Sequence, residues 1–237
     1  MDNLNLPEAF RSLPWHLRII SNFLRIFFSL LYHQFAWTYD WVAATVSLGR
    51  WTGWVSAILP FLQGPRILEL GHGPGHLQVE LYHKQMTCFG LDRSPQMSRI
   101  ASRRLKKKGL SRRLVNGVSQ KLPFASGSFN EVVATFPSEY IAHPDTLAEI
   151  YRVLTPNGKA VVLPYAWLTG KSPLDRLFAW LFRITGEAPA WEERFLNQFF
   201  NQGFEIETHK VYYRSSTLLF VELSKSAHAD SQVHQGT

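Results

Sequence analysis

Apolar runs and helical spacing alternate through the middle of the chain in an order that predicts a βαβ unit. The run from Ile67 to Leu70, apolar except for Glu69, predicts a buried strand, because such runs are typical of parallel sheets covered on both faces. Helical spacing follows from about Pro74 and covers Leu77 to Gln85. A second buried strand is predicted over Thr87 to Asp92. Strand, turn, helix and strand in this order are typical of an open α/β sheet.

The same alternation continues along the chain and sets the fold class. The further predicted elements are a helix begun by Ser94 and Pro95 and ended by Gly109, strands at Leu114–Val115 and Phe129–Phe136, a helix begun by Pro144 and ended by the turn Thr155–Gly158, a strand at Lys159–Leu163, helices at Pro173–Ile184 and Glu192–Gln202, and strands at Phe204–Tyr213 and Thr217–Leu223. A short turn joins the last two strands, which makes them antiparallel. The chain is therefore predicted to be α/β, with a mostly parallel sheet, helices on both faces and a C-terminal antiparallel hairpin.

Three regions outside this pattern complete the domain organisation around a main domain at 59–225. Residues 1–58 are predicted to form a helical N-terminal extension or lid, in which Leu17 to Ala36 has a broad apolar face and a narrow polar stripe. That helix either packs on the body of the protein or lies in a membrane interface, and its charges interrupt it too often for a membrane span. An aromatic insertion at 164–190 is assigned to the substrate side, and the tail at 226–237 is predicted to be disordered.

Net charge changes the picture at one place. The formal net charge is +7, and seven basic residues between Arg103 and Arg113 equal the whole excess. This cluster indicates either attraction to an anionic surface, which would be lipid headgroups or nucleic acid, or simply a solvated helix end. No RNA-binding signature accompanies it, so no nucleic-acid partner is expected.

Cysteine and histidine usage limits the chemistry of the site. The single cysteine, Cys88, excludes an internal disulfide, and the nine histidines show no metal-ligand spacing, so no metal is expected. The first residues lack the basic region and apolar core of a secretory signal, which favours a cytoplasmic protein with peripheral membrane association left open. Nothing in the pattern predicts an oligomeric state.

Candidate chemistry begins in the turn after the first strand, where Gly71, Gly73 and Gly75 stand at alternate positions. Glycine there lets a ligand approach the backbone, and the following helix N-terminus offers unpaired N–H groups. The spacing differs from the G-x-G-x-x-G of dinucleotide sites. Asp92 ends the second strand, where an acid of a βαβ unit accepts hydrogen bonds from ribose hydroxyls. The two features together predict a nucleoside site.

Four blocks of sequence carry a resemblance to a known family. They are Leu68-Glu69-Leu70-Gly71-His72-Gly73-Pro74-Gly75, Gly90-Leu91-Asp92-Arg93-Ser94-Pro95-Gln96-Met97, Leu122-Pro123-Phe124 with Gly127-Ser128-Phe129, and Glu149-Ile150-Tyr151-Arg152-Val153-Leu154-Thr155-Pro156-Asn157-Gly158. In these blocks the chain resembles the class I S-adenosylmethionine-dependent methyltransferases (methyltransferase type 11 domain). Tyr39-Asp40, Ser47-Leu48-Gly49 and Trp51 or Trp54 are loosely similar to quinone-biosynthesis C-methyltransferases.

The resemblance implies a Rossmann-like seven-stranded sheet with one antiparallel strand, the cofactor S-adenosyl-L-methionine and the product S-adenosyl-L-homocysteine. It also implies cofactor contacts at Glu69, Gly71, His72, Gly73, Gly75, Asp92, Arg93, Met97, Val118, Ser119, Gln120, Thr135 and Phe136. The glycines would admit the methionine part of the cofactor, and Glu69 would face its amino group. Asp92 would accept from the ribose, with Arg93 and Met97 beside the adenine.

Two positions depart from the family pattern. The family often has an acid at the position of Val118, so adenine recognition here is expected to rest more on Ser119 and Gln120. His72 stands where small or hydroxyl residues are common, and it either touches the cofactor carboxylate or points to solvent. Thr135 and Phe136 would line the floor near the sulfonium.

The implied activity is in-line methyl transfer to a small, hydrophobic or aromatic acceptor, quinone-like or lipid-like. The candidates for a general base are Tyr39, His72, Glu139, Tyr140 and His143, and none is preferred. One alternative is a non-catalytic cofactor-binding or membrane-surface protein with the same fold. A nicotinamide-dependent oxidoreductase is disfavoured by the glycine spacing and by the C-terminal hairpin.

Overall fold

The computed structural model describes residues 49–170, 199 and 203–225. The predictions for the extension before Gly49, for most of the insertion, for the helices at Pro173–Ile184 and Glu192–Gln202 apart from Phe199, and for the tail lie outside the described residues.

Four α-helices and seven strands make up the described fold. They are α1 (Trp51–Ser56), β1 (Arg66–Leu70), α2 (His76–His83), β2 (Thr87–Asp92), α3 (Pro95–Lys107), β3 (Leu114–Asn116), β4 (Phe129–Thr135), α4 (Pro144–Val153), β5 (Leu154–Leu168), β6 (Phe204–Tyr213) and β7 (Ser216–Lys225). Short 3₁₀ turns lie at Leu59–Phe61 and Glu139–Ala142. No helix of the described part is long and apolar enough to cross a membrane.

The seven strands form one sheet in the order β3-β2-β1-β4-β5-β7-β6. The pairs from β3 to β5 are parallel, and β7 runs antiparallel to both of its neighbours. The predicted fold is therefore confirmed, including the single antiparallel strand. The strand order reverses between β1 and β4, and ligands of open α/β sheets bind beyond the carboxyl ends of the strands at such a switch point.

Alternate residues of β1 supply the two cores of the molecule. Leu68 and Leu70 pack in the cluster that contains α4, whereas Ile67 packs in the cluster that contains α1 and α2. Because the sheet is covered on both faces, Ile67 to Leu70 are all buried, as the largely apolar run predicted, and the acid Glu69 is buried with them. This rigid centre holds the start of the glycine turn in place.

The helix that follows β2 begins and ends where the sequence predicts. Ser94 Oγ accepts a hydrogen bond from the Met97 amide at 3.3 Å, which caps α3. At the other end Gly109 has φ +69°, and the Leu110 amide donates to the Leu105 carbonyl at 3.0 Å, which closes a Schellman motif. The basic cluster of the sequence therefore begins in the last turns of α3.

The predicted bounds of the fifth strand are wrong at both ends. The strand begins at Leu154, directly after α4, and continues through Pro164 to Leu168. The predicted turn at 155–158 is contained in the strand as an irregularity, since the register changes between Leu154 opposite Phe129 and Lys159 opposite Glu131. Pro164 is tolerated because it lies at a second register shift, in the pairing with β7, where a proline costs no ladder hydrogen bond. The first residues assigned to the insertion belong to the sheet.

Candidate functional site

The glycine turn leaves β1 at the switch point of the sheet. Gly71, Gly73 and Gly75 have φ of +70°, +50° and +81°, a region that favours glycine. A Cβ at Gly73 would have no atom of the described residues within 4 Å, so on that side these residues leave the turn open to a ligand. A Cβ at Gly75 would lie 2.9 Å from the Ala101 Cβ, so this glycine allows the turn to pack on α3. The turn is thus open to a ligand at Gly73 and closely packed against α3 at Gly75.

Asp92 connects the turn to the start of α3. Its Oδ2 accepts from the Gly73 amide at 2.8 Å, and its Oδ1 accepts from the Ser94 amide at 2.7 Å. Each carboxylate oxygen has a further lone pair, so the group retains capacity to accept from ribose hydroxyls. Beside it Arg93 is exposed, whereas Met97 is buried in the structure. The ribose and adenine roles of these residues stay predictions.

Glu69 lies beneath the turn as a fully buried carboxyl. It accepts a hydrogen bond from Gln78 Nε2 at 2.7 Å. Burial raises the pKa of Glu69 to about 8, while the Gln78 hydrogen bond opposes the shift and the charge of Asp92 adds to it. A carboxyl with this pKa is largely neutral near pH 7. A cation placed beside it would stabilise its charged form, which fits an ammonium or sulfonium ligand. Gln78 was missed by the sequence reasoning, and its only signal was an amide on the inner face of a helix.

His72 does not point to solvent, so that alternative is wrong. The side chain is only 3% exposed, and its Cδ2 would lie 2.9 Å from a Cβ at Gly90. Nδ1 lies 2.8 Å from the Gly73 carbonyl oxygen, which can only accept, so Nδ1 carries the proton. Burial lowers the pKa of His72, against the raising effect of Asp92, and the ring is neutral.

The other ring nitrogen of His72 belongs to a hydrogen-bond network that the sequence did not predict. Nε2 lies 3.4 Å from Ser98 Oγ, and Ser98 Oγ accepts from Asn116 Nδ2 at 2.9 Å. The Asn116 amide also donates to the Asp92 carbonyl at 3.2 Å. Because Nδ1 is the donor, Nε2 accepts from the serine hydroxyl, and the imidazole fixes the turn instead of serving as a free base. Whether His72 also contacts the cofactor stays a prediction.

The loop after β3 holds the three residues predicted to recognise adenine. Val118 is exposed, with 41% of its surface accessible. Ser119 is buried, and its Oγ lies 3.0 Å from Thr146 Oγ1 and 3.4 Å from the Gln120 side-chain oxygen. The Ser119 side chain is thus engaged with the protein, and the adenine contacts of Ser119 and Gln120 stay predictions.

An aromatic wall follows β4 at the same edge of the sheet. Glu69 pairs with Val133, so Gly71 and Thr135 both follow at the carboxyl ends of adjacent strands. Phe136 has φ +48°, rare for a bulky residue, and its amide donates to the Leu163 carbonyl at 2.7 Å. Its ring centroid lies 4.5 Å from that of Trp51 in α1. We call Trp51 and Phe136 the aromatic wall.

The structure brings one of the candidate bases to the glycine turn. Tyr140 Oη donates to the Leu70 carbonyl at 3.1 Å and would lie 2.6 Å from a Cβ at Gly71. Glu139 is exposed, and the exposed His143 caps α4, where its Nδ1 accepts from the Asp145 amide at 3.2 Å. Tyr39 lies outside the described residues. Among 49–170, 199 and 203–225, no three His, Cys, Asp or Glu residues are grouped to hold a metal ion.

Comparison with known proteins gives this site a family. The methyltransferase domain family matches residues 67–158, from β1 to the start of β5. An uncharacterized methyltransferase of Bacillus subtilis, YdaC, is 31% identical over 129 residues, which are 52% of this chain and 67% of that protein. The chain belongs to the methyltransferases. The family and the cofactor predicted from the sequence, S-adenosylmethionine, are confirmed.

Two further comparisons define the extent of the likeness. This methyltransferase is 33% identical to a demethylmenaquinone methyltransferase of Deinococcus radiodurans over 152 residues, 62% of the chain, and spans 61% of that relative. A solved methyltransferase from Aquifex aeolicus superposes with a TM-score of 0.57 at 15% identity, covering 78% of this chain and 98% of that one. The solved structure supports the fold.

The residues of the methyltransferase site fit the cofactor. The open face at Gly73 admits a ligand against the backbone, and Asp92 keeps acceptor capacity for hydroxyls. Glu69 supplies a buried carboxyl on the side where a cationic group would lie. Val118 offers an exposed apolar contact for a base. Sugar, cation and base thus each meet a suitable surface.

Proposed function

We propose that this protein transfers the methyl group of S-adenosylmethionine to a small, lipophilic, aromatic acceptor of quinone-like or lipid-like chemistry. The observation that carries the proposal is the position of the aromatic wall, which follows β4 next to the glycine turn at the switch point. Ligands of open α/β sheets bind in the crevice outside the carboxyl ends of the strands, so the wall would border the same crevice as the nucleoside site. Such a crevice suits a flat apolar acceptor better than a charged one.

When bound, the cofactor supplies an already activated methyl group for in-line displacement. The protein then positions the cofactor, since Asp92 and the open backbone at Gly73 hold its nucleoside end beside the aromatic wall. Glu69 supplies a negative charge beneath the turn once a cation offsets the cost of its burial. Phe136 and Trp51 exclude water from the acceptor side.

Tyr140 is the candidate for contact with the acceptor. Its hydroxyl lies at the turn and is oriented by the Leu70 carbonyl, to which it donates. A tyrosine hydroxyl has acceptor as well as donor capacity, so at this position it suits a hydrogen bond with a hydroxyl of the acceptor. Glu139 and His143 are more exposed, and the capping bond of His143 commits its Nδ1.

The named relative supports the acceptor class. The similar protein of Deinococcus radiodurans is a demethylmenaquinone methyltransferase, which indicates an apolar, ring-containing acceptor for the present chain. We propose the same chemical class for the acceptor of the present chain.

A turnover assay tests the proposal. The full chain is incubated with methyl-labelled S-adenosylmethionine and a bacterial lipid and quinone extract, and label in the organic phase is measured. Incorporation that depends on the enzyme is expected, and cofactor binding without any incorporation would favour a non-catalytic binding protein.

The aromatic wall gives the assay a matched pair of variants. Trp51→Leu should raise the KM for the acceptor about tenfold through a lost aromatic contact, with the cofactor affinity unchanged. Trp167→Leu is the control, since Trp167 is a half-buried tryptophan that packs against the other core cluster. An equal effect of both substitutions would argue against the wall.

A further inference from the structure

The outer side of α3 carries an open groove lined by cations. The groove has a volume of about 640 Å³ and is lined by Ile100, Arg103, Arg104, Lys107 and Lys108. A second depression of about 190 Å³ continues it through Arg104 and Lys108 to α1 and α2, with Glu80 as the acid in its lining. We call the two together the cationic groove.

Most of these cations have no counter-charge among the residues that the structure describes. Within the described residues, Arg103, Lys107 and Lys108 make no ion pair with a carboxylate, and all three are exposed. Arg104 differs, since its guanidinium donates to the Pro74 carbonyl in the glycine turn. A concave surface with unpaired positive charges is expected to attract an anion from outside the protein.

The remaining segments of the chain are poorly suited to fill the groove by charge. Residues 1–48 contain three acidic and three basic residues, and residues 171–202 contain four of each. The tail at 226–237 has one acid, Asp230. No segment therefore has the acidic excess that would complement the groove, which points to an external partner.

We propose that the cationic groove docks the protein on an anionic phospholipid membrane. Among the described residues that line the groove none is aromatic, so they offer a nucleic acid no stacking platform, whereas lipid phosphates need only the cations. Ile100 adds an apolar contact at the surface. The docking deepens the proposed function, on whose lipophilic acceptor it rests, because such an acceptor resides in a bilayer.

The short helix α1 connects the groove to the acceptor side. Thr52 and Ser56 of α1 line the second depression, while Trp51 of the same helix stacks on Phe136. The same short helix thus contributes residues to both the cationic groove and the aromatic wall, so docking at the groove would bring the acceptor side of the protein to the bilayer.

Vesicle flotation of the full chain tests the docking. Wild type is compared on neutral phosphatidylcholine vesicles and on vesicles that contain about a third phosphatidylglycerol. The groove variant is Arg103→Gln/Lys107→Gln/Lys108→Gln, which leaves Arg104 in place. The control is Lys84→Gln/Lys121→Gln/Lys210→Gln, which removes three exposed cations outside the groove lining and gives the same net charge.

Wild type and control should float with anionic vesicles only, and high salt should weaken this binding. The groove variant should bind the anionic vesicles roughly 100-fold more weakly, because it has lost three cations. Equal flotation of both triple variants, or equal binding to neutral vesicles, would overturn the proposal. So would a groove variant that loses affinity for an RNA or DNA oligonucleotide but not for vesicles. Unchanged thermal unfolding of the groove variant shows that it is folded. Flotation uses neither cofactor nor acceptor, so its failure is distinct from failure of methyl transfer.

Discussion

Replacing Glu69 by glutamine should remove a pH dependence from the stability of the protein. Glu69 is fully buried beneath the glycine turn, where desolvation raises its pKa from 4.5 to about 8. Glutamine has nearly the same shape, carries no charge at any pH and can still accept from Gln78 Nε2. The substitution therefore removes the titration and leaves the packing.

The sign of this pH dependence of the unfolding free energy follows from proton linkage. Between pH 4.5 and 8 the folded protein holds a proton on Glu69 that the unfolded chain has released. The stabilisation by the neutral carboxyl is complete below the lower of these values and is lost as the pH rises through the higher one. A shift of this size corresponds to about 5 kcal/mol over the whole range, and to about 3 kcal/mol between pH 5.5 and 8.5.

Urea unfolding at pH 5.5 and 8.5, without cofactor, measures the effect. Wild type should lose about 3 kcal/mol more unfolding free energy than Glu69→Gln between the two values. Glu205→Gln, at an exposed position of β6, should behave as wild type. If Glu69→Gln keeps the wild-type pH dependence, the carboxyl is charged in the folded protein and its assignment as a buried partner for a cation is wrong.

Two further substitutions test the supports of the turn. Gly75→Ala should cost about 1–3 kcal/mol more unfolding free energy than Gly127→Ala. Both glycines have positive φ, but only a Cβ at Gly75 would meet another atom, the Ala101 Cβ at 2.9 Å. Equal costs of the two substitutions in urea titrations would contradict the close packing. His72→Phe should weaken S-adenosylmethionine binding about tenfold, because the hydrogen bond to the Gly73 carbonyl is lost, while kcat at saturation stays near the wild-type value. A kcat lower by a hundredfold or more would instead indicate that the imidazole acts as a general base.

Features set by neighbours in the sequence were predictable. The start of α3 follows from Ser94 and Pro95, which cap it within a single turn. The nucleoside site follows from the glycine spacing and Asp92, because a βαβ unit brings the first turn and the second strand end together. These signals need only a few consecutive residues and one strand pairing.

Features set by distant packing were not predictable from one sequence. The burial of His72 depends on Gly90 leaving space for the ring and on Ser98 reaching its Nε2. The length of β5 depends on its pairing with β7, which has a register shift at Pro164. The stacking of Trp51 on Phe136 joins α1 to the end of β4 across more than eighty residues of sequence. None of these arrangements has a signature in the local pattern.

The central claim is that the glycine turn and Asp92 form a methyl-donor site, and calorimetric titration tests it most directly. Wild type should bind S-adenosylmethionine and S-adenosylhomocysteine but not NADH. Asp92→Ala should lose roughly 100-fold in affinity for both, since two hydrogen bonds to a charged group are removed, whereas Asp145→Ala, at an exposed acid, should leave the affinity unchanged. Preferential binding of NADH, or unchanged affinity in Asp92→Ala, would contradict the assignment.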